Sequence, residues 1–282
     1  MSEHDLQGKT FLITGASSGI GRVTAMTLAR RGGEVILAGR SQAKTEAVVA
    51  EITASGGAAR FAPLDLTELA SVRRFAEELL AAGTPLAALI NNAGMAGTRG
   101  LTKDGFELTF GTNHLGHYLL TRLLLDHLKA HAPARIVNVA SKAHYRTKEI
   151  PWEALRKPTK TRTGLDEYAV SKLCNVLFTK ELARRLAGTG VTTYSLHPGV
   201  VATDVWRNVP APLRWLIKRL MLTPEQGAQA SVMTAAAPEL AEESGRYYDW
   251  NGQDTKPSEL AEDATLAALL WRRSAEWVGL ED

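Results

Sequence analysis

One cysteine, Cys174, stands alone in 282 residues. It can form neither an internal disulfide nor a thiolate-held metal cluster, so the fold rests on its core alone. A reducing compartment, the cytoplasm, is the expected location. Net charge is also nearly lacking: 33 basic against 30 acidic residues leave a formal +3. So slight a surplus excludes the concentrated basic face of a bulk nucleic-acid binder. No apolar run reaches the roughly 18 residues that a membrane span needs, and Met1 to Gln7 is polar and acidic rather than a signal segment. Linker-like, repetitive and low-complexity stretches are missing too. The expectation is therefore one domain, large enough to bury a substantial core.

What the chain does carry is a regular alternation of short apolar runs and longer helical tracts. Residues 10–13, 34–38, 59–64, 86–90, 135–139 and 191–196 read as strands, and 245–248 as a candidate edge strand. Residues 22–31, 44–54, 68–82, 108–131, 166–186, 224–236 and 261–277 read as helices. Thr67 is the expected N-cap of the third of these, and 108–131 is expected to bend early. Strands this short and apolar are buried on both faces, which places them in a parallel sheet. Right-handed crossovers then wind helices onto both sides. The fold class expected is α/β, a single doubly wound domain of the Rossmann type over residues 1–282. Its sheet has about seven strands, mostly parallel. Residues 142–163 and 204–223 break the alternation and are expected as insertions around a substrate mouth.

Between the first strand and the first helix lies Thr14-Gly15-Ala16-Ser17-Ser18-Gly19-Ile20-Gly21. A helix start exposes unpaired amide groups and the positive end of the helix dipole. Glycines before it let the backbone approach a pyrophosphate closely. In a doubly wound sheet the ligand crevice lies beyond the C-terminal strand ends. The unusual residues of this chain fall at those ends: Gly15, Arg40, Asp65, Asn91, Ser141 and His197-Pro198-Gly199.

Tyr168 and Lys172 are four apart on the fifth predicted helix and share a face. An ammonium beside a phenol, together with the positive charge of an oxidised nicotinamide, is expected to stabilise the phenolate and lower its pKa. Tyr168 could then exchange a proton with an alcohol near neutral pH. The ordered set of the glycine turn, Asn91-Asn92-Ala93-Gly94, Asn113, Ser141, Tyr168-Ala169-Val170-Ser171-Lys172 and Pro198-Gly199 resembles the short-chain dehydrogenase/reductase family over nearly the whole chain. His114-Leu115-Gly116-His117, the wide gap from Ser141 to Tyr168, and the His197 turn resemble its retinol dehydrogenase branch.

The resemblance implies an oxidoreductase in which Tyr168 is the acid/base, Ser141 orients the substrate oxygen, Lys172 tunes the phenol and grips the nicotinamide ribose, and Asn113 holds a relay water. It implies cofactor contacts at Gly15, Ser17, Ser18, Gly19, Ile20, Asp65, Leu66, Asn91, Ala93, Gly94, Pro198, Gly199, Val201 and Thr203, beside Tyr168 and Lys172. Asp65 either accepts from the adenine amino group or caps a helix. Asn91 packs near the adenine ribose or serves structure. An acid at the end of the second strand would hold a ribose 2′-OH; this chain has Arg40, whose planar fork suits a 2′-phosphate, so NADP(H) is the expected cofactor.

His114 and His117 could hold a metal. No third ligand is suitably spaced, so no metal is expected, and the pair is assigned to helix packing or a subunit surface. Residues 212–222 read as a lid, a membrane-touching helix or a packed helix. Tyr145, Trp152 and Trp206 line the mouth or fill the insertions. The expected substrate is a small apolar aldehyde, ketone or alcohol. Family relatives pair through the two long helices, 108–131 and 166–186, which implies a homodimer or homotetramer. The competing reading is a non-catalytic NADP(H)-binding scaffold of the same fold.

Overall fold

The computed structural model describes residues 4–201 and 221–282. Thr203, Trp206 and most of the 204–223 and 212–222 segments lie outside the described residues.

Seven strands form one sheet in the order β3-β2-β1-β4-β5-β6-β7, every pair parallel. They are β1 (Thr10–Thr14), β2 (Glu34–Gly39), β3 (Ala58–Pro63), β4 (Ala88–Asn91), β5 (Ala134–Val139), β6 (Val191–Leu196) and β7 (Arg246–Tyr248). The candidate edge strand is thus a true edge, and the sheet is wholly rather than mostly parallel.

Among the described residues, eight α-helices connect and cover the sheet: α1 (Gly19–Arg30), α2 (Gln42–Ala54), α3 (Leu69–Ala82), the single turn α4 (Leu108–Phe110), α5 (Gly116–Ala130), α6 (Leu165–Arg185), α7 (Pro224–Ala236) and α8 (Ala264–Trp277). Side chains alternate across each strand. Leu12, Leu89 and Ile136 therefore enter a core shared with α3, α5, α6 and α8, while Phe11, Ile13, Ile90 and Val137 enter a second core with α1, α2 and α7. Each fully buried Leu, Ile or Phe contributes about 1.5–3 kcal/mol of transfer free energy.

The chain reverses its direction of strand addition between β1 and β4, where Phe11 pairs with Ala88 and Ile13 with Ile90. Successive connections leave to opposite sides there, which opens a crevice beyond Thr14 and Asn91.

One local expectation is corrected and two are made specific. Thr67 does not cap α3: its hydroxyl donates to Asp65 Oδ1 at 2.7 Å, and Asp104 Oδ2 instead accepts from Leu69 N at 2.9 Å. The long tract after residue 108 is not one α-helix, since Gly111–Leu115 forms a π turn between α4 and α5. Of the two readings for Trp152, filling the insertion is the one its contacts support: it packs on Trp277, centroids 6.3 Å apart, under Arg273.

α8 lies across the two long helices. Trp271 meets Tyr118 of α5 edge-on at 5.2 Å and stacks on Phe178 of α6 at 5.9 Å. Arg122 and Arg185 sit over its ring, and Arg185 also pairs with Asp282 at 2.8 Å.

Candidate active site

The crevice is a cleft of about 360 Å³, within the usual range for small-molecule sites. Ten of the residues expected to touch a cofactor line it: Gly15, Ser17, Ser18, Gly19 and Ile20 from the turn, Arg40 after β2, Asp65 and Leu66 after β3, and Ala93 and Gly94 after β4.

The turn is built for close approach. Gly15 has φ +70, and a Cβ there would come within 2.8 Å of Ala93 Cα. Ser18 precedes α1 in extended backbone, and its side chain makes no capping hydrogen bond. The first amide groups of a twelve-residue helix are thus left facing the cleft, the arrangement that holds an anion.

At the far wall, Arg40 is joined by two residues missed in the sequence, Ser41 and Lys44. Ser41 begins α2 without a side-chain cap. Neither Arg40 nor Lys44 has an ion-pair partner among the described residues, whereas Arg22, nearer the turn, is taken by Glu51 at 2.5 Å. Lys44 follows Arg40 by four residues, a spacing that could have revealed it. Two uncommitted cations beside an uncapped serine make an anion-seeking wall, and the residues present fit a phosphate-bearing dinucleotide.

The cleft closes on Gly94, where a Cβ would lie 3.4 Å from Asn113 Oδ1 and 3.5 Å from Lys172 Nζ. The expected catalytic set therefore begins where the cleft ends. Tyr168 and Lys172 share one face of α6, with Nζ 5.6 Å from the phenol ring centre. Ser141, beyond β5, lies close enough to the Tyr168 phenol to hold its pKa down against burial. Asn113 lies in the π turn: its Nδ2 donates to Met95 O and to Ser171 Oγ, both at 3.0 Å, and its Oδ1 accepts from Met95 N at 2.9 Å. Ser171 in turn donates to Tyr168 O at 2.8 Å.

The electrostatics correct one expectation. Lys172 does not lower the Tyr168 pKa here. Burial pushes the phenol up, opposed by Ser141, and burial pushes Lys172 down to about 7 while Nζ donates to Val139 O at 2.7 Å. Both charged forms are penalised by the same dry surroundings.

Other expected residues sit differently. Asn91 points into the interior, donating to Thr121 Oγ1 at 3.0 Å and Asn138 Oδ1 at 2.8 Å; of its two readings the structural one holds, and Asn92 lines the cleft instead. Asp65 closes a tight turn, accepting from Thr67 N at 2.9 Å, so it caps no helix. Pro198 and Val201 lie behind the α1 start: a Cβ on Gly227 of α7 would meet Val201 Cγ2 at 2.5 Å, Pro198 O at 3.1 Å and Ile20 Cγ1 at 3.3 Å. Gly199 packs on Leu222 and Trp250. Tyr145 is exposed, its hydroxyl donating to Lys256 O at 2.6 Å.

No group of three potential metal ligands occurs among the described residues, and none of their helices is long and apolar enough to cross a membrane. The histidines brace the site. His144 Nδ1 donates to Ser141 O at 2.6 Å, and its Nε2 accepts from Ser258 N at 3.1 Å. His197 Nδ1 accepts from Lys142 N at 3.2 Å. Burial lowers His117 and His197 from the ordinary 6.5 to about 4 and His114 to about 3.

These depressed values predict acid sensitivity. Between pH 6.5 and about 4 the unfolded chain binds protons that the folded rings refuse, so stability is full above 6.5 and falls as pH falls through that window. His117 alone accounts for roughly 3 kcal/mol of that loss. Glu107, raised by burial, opposes it more weakly, as one group against several. Melting temperature measured from pH 7.5 to 4.5 should drop steeply below 6.5; a flat profile contradicts the neutral-histidine assignment.

Comparison with known proteins agrees with this geometry. Residues 9–154 match the family model described as short chain dehydrogenase. The chain is 45% identical to human retinol dehydrogenase 13, over 99% of this chain and 87% of the relative. An uncharacterised protein from Mycobacterium paratuberculosis, solved by crystallography, superposes with a TM-score of 0.80 at 35% identity, covering 100% of this chain and 98% of its own. A crystal structure titled as a candidate NAD(P)-dependent gluconate 5-dehydrogenase from Beutenbergia cavernae, with NADP bound at low occupancy, gives 0.72 at 28% identity, over 89% and 98%. With the motifs in order, the crevice formed and relatives matched over nearly the whole of this chain, the chain belongs to the short-chain dehydrogenase/reductase family, on its retinol dehydrogenase-like branch, and is an oxidoreductase that uses a nicotinamide dinucleotide.

Proposed function

We propose that the protein is an NADP(H)-dependent alcohol dehydrogenase/carbonyl reductase acting on an apolar aldehyde, ketone or alcohol. The observation that carries this reading is Tyr168 set beside Ser141 and Lys172 at one end of a crevice whose other end bears Arg40 and Lys44. Gly15 and the α1 start would hold the pyrophosphate, and Arg40, Lys44, Ser17 and Ser41 the 2′-phosphate. Asp65 and Leu66 would face the adenine. Ala93 and Gly94 would line the path to the nicotinamide, whose amide would meet Pro198, Gly199, Val201 and Thr203. The bound dinucleotide supplies the hydride and, when oxidised, a positive charge beside the phenol.

This chain's residues handle the proton. Ser141 holds the substrate oxygen, and Tyr168 gives it a proton in reduction or takes one in oxidation. Lys172, 5.6 Å from the phenol ring centre, would grip the nicotinamide ribose, and Asn113 completes the relay. Burial keeps Tyr168 protonated at neutral pH, the form that reduction needs. An apolar substrate is supported by the relative named retinol dehydrogenase 13, and NADP by the Beutenbergia structure's title.

Mixing the protein with NADPH and a panel of apolar aldehydes should consume NADPH, followed by its absorbance, well above the rate seen with NADH. Tight NADPH binding with no turnover on any aldehyde would leave only the scaffold reading.

A further inference from the structure

His117 is almost fully buried, one helical turn beyond Asn113, and touches two parts of the site at once. Its Nδ1 lies 2.9 Å from Asn113 O, and its Nε2 lies 2.8 Å from Thr14 Oγ1. A carbonyl oxygen cannot donate, so Nδ1 carries the proton and Nε2 is the bare acceptor. Thr14 must then donate its hydroxyl proton to Nε2. That leaves both lone pairs of Thr14 Oγ1 to accept from Asn92 N at 3.0 Å and Ala93 N at 2.9 Å. Asn92 and Ala93 line the crevice, while Asn113 stands against Gly94 and Lys172. Every polar atom in this chain of contacts has a partner.

We propose that His117 is a positioning residue with two separable effects: through Nε2 and Thr14 it sets the 92–93 loop that receives the dinucleotide, and through Nδ1 it sets the Asn113 carbonyl in the proton relay. This rests on the reading of the crevice as a dinucleotide site with Tyr168 as its proton donor.

Two conservative substitutions divide the ring. The amide nitrogen of Asn sits near the position of Nδ1, and the terminal amide of Gln near that of Nε2. His117→Asn therefore keeps the Asn113 bond and loses Thr14. His117→Gln keeps an acceptor for Thr14 and loses Asn113. His117→Asn should weaken NADPH about tenfold while holding kcat within about threefold. His117→Gln should lower kcat about tenfold while holding NADPH affinity within about threefold. Affinity is read without substrate, by fluorescence titration of NADPH into the free protein. Thr14→Val removes the Nε2 partner together with the acceptor of both loop amides, so its affinity loss should equal or exceed that of His117→Asn while kcat stays within about threefold, which covers the case of one histidine variant failing to fold.

Equal losses of both quantities in the two histidine variants, or no loss in either, overturn the proposal, because a ring that only fills space cannot separate the two. A wild-type protein that binds NADPH but reduces nothing would sink the functional reading instead, since the affinity difference between the variants is read without turnover.

Discussion

Tyr168→Phe should lower kcat by about 10²–10⁴-fold, the usual contribution of a positioned proton donor. The substitution deletes one oxygen and keeps the ring against α6, so NADPH affinity should stay within about threefold of wild type. The two readouts separate proton transfer from binding. They also separate this reading from one in which Tyr168 only packs, where kcat would be nearly unchanged. Single-turnover rates with NADPH and an aldehyde that wild type reduces give the first number, and fluorescence titration the second. A Phe variant with near-normal kcat ends the acid/base assignment. The structure sharpens the expectation. Burial raises the phenol pKa, so a reduction should keep its rate up to alkaline pH, where a lowered phenol would already have lost its proton.

Arg40→Asp should raise the Kd for NADPH about a hundredfold and leave NADH within about threefold, the scale of one charged hydrogen bond lost and a repulsion added. Arg40 is exposed at the cleft wall, so its replacement should leave the melting temperature nearly unchanged. Lys44 remains beside it, so some preference for the 2′-phosphate should survive. Equal effects on the two dinucleotides would dismiss the phosphate role for this wall.

The features legible from sequence are those whose physics is local. The glycine turn announces itself because strand, turn and helix are contiguous. Tyr168 and Lys172 do so because four residues make a helical face. The placement of Gly15, Arg40, Asp65 and Ser141 at strand ends follows from alternation alone. What escaped depends on partners distant in sequence. Asn91 is claimed by Thr121 and Asn138, and Leu69 is capped by Asp104. Neither competitor is visible before the chain is folded. The direction of the Tyr168 shift is hidden in the sequence for a related reason. A sequence shows the neighbouring ammonium but not the dryness that penalises both groups together. His117 was noticed for its spacing from His114, whereas its function lies in its spacing from Asn113.

The helix laid over α5 and α6 bears on how copies of this protein could meet. A second molecule approaching along those helices encounters Trp271 already seated between Tyr118 and Phe178, with Arg185 tied to Asp282. Pairing helix on helix there means prising out an aromatic plug that the chain supplies to itself. Copies that meet there would either displace this plug or build their contact from the parts of α5 and α6 that it leaves uncovered.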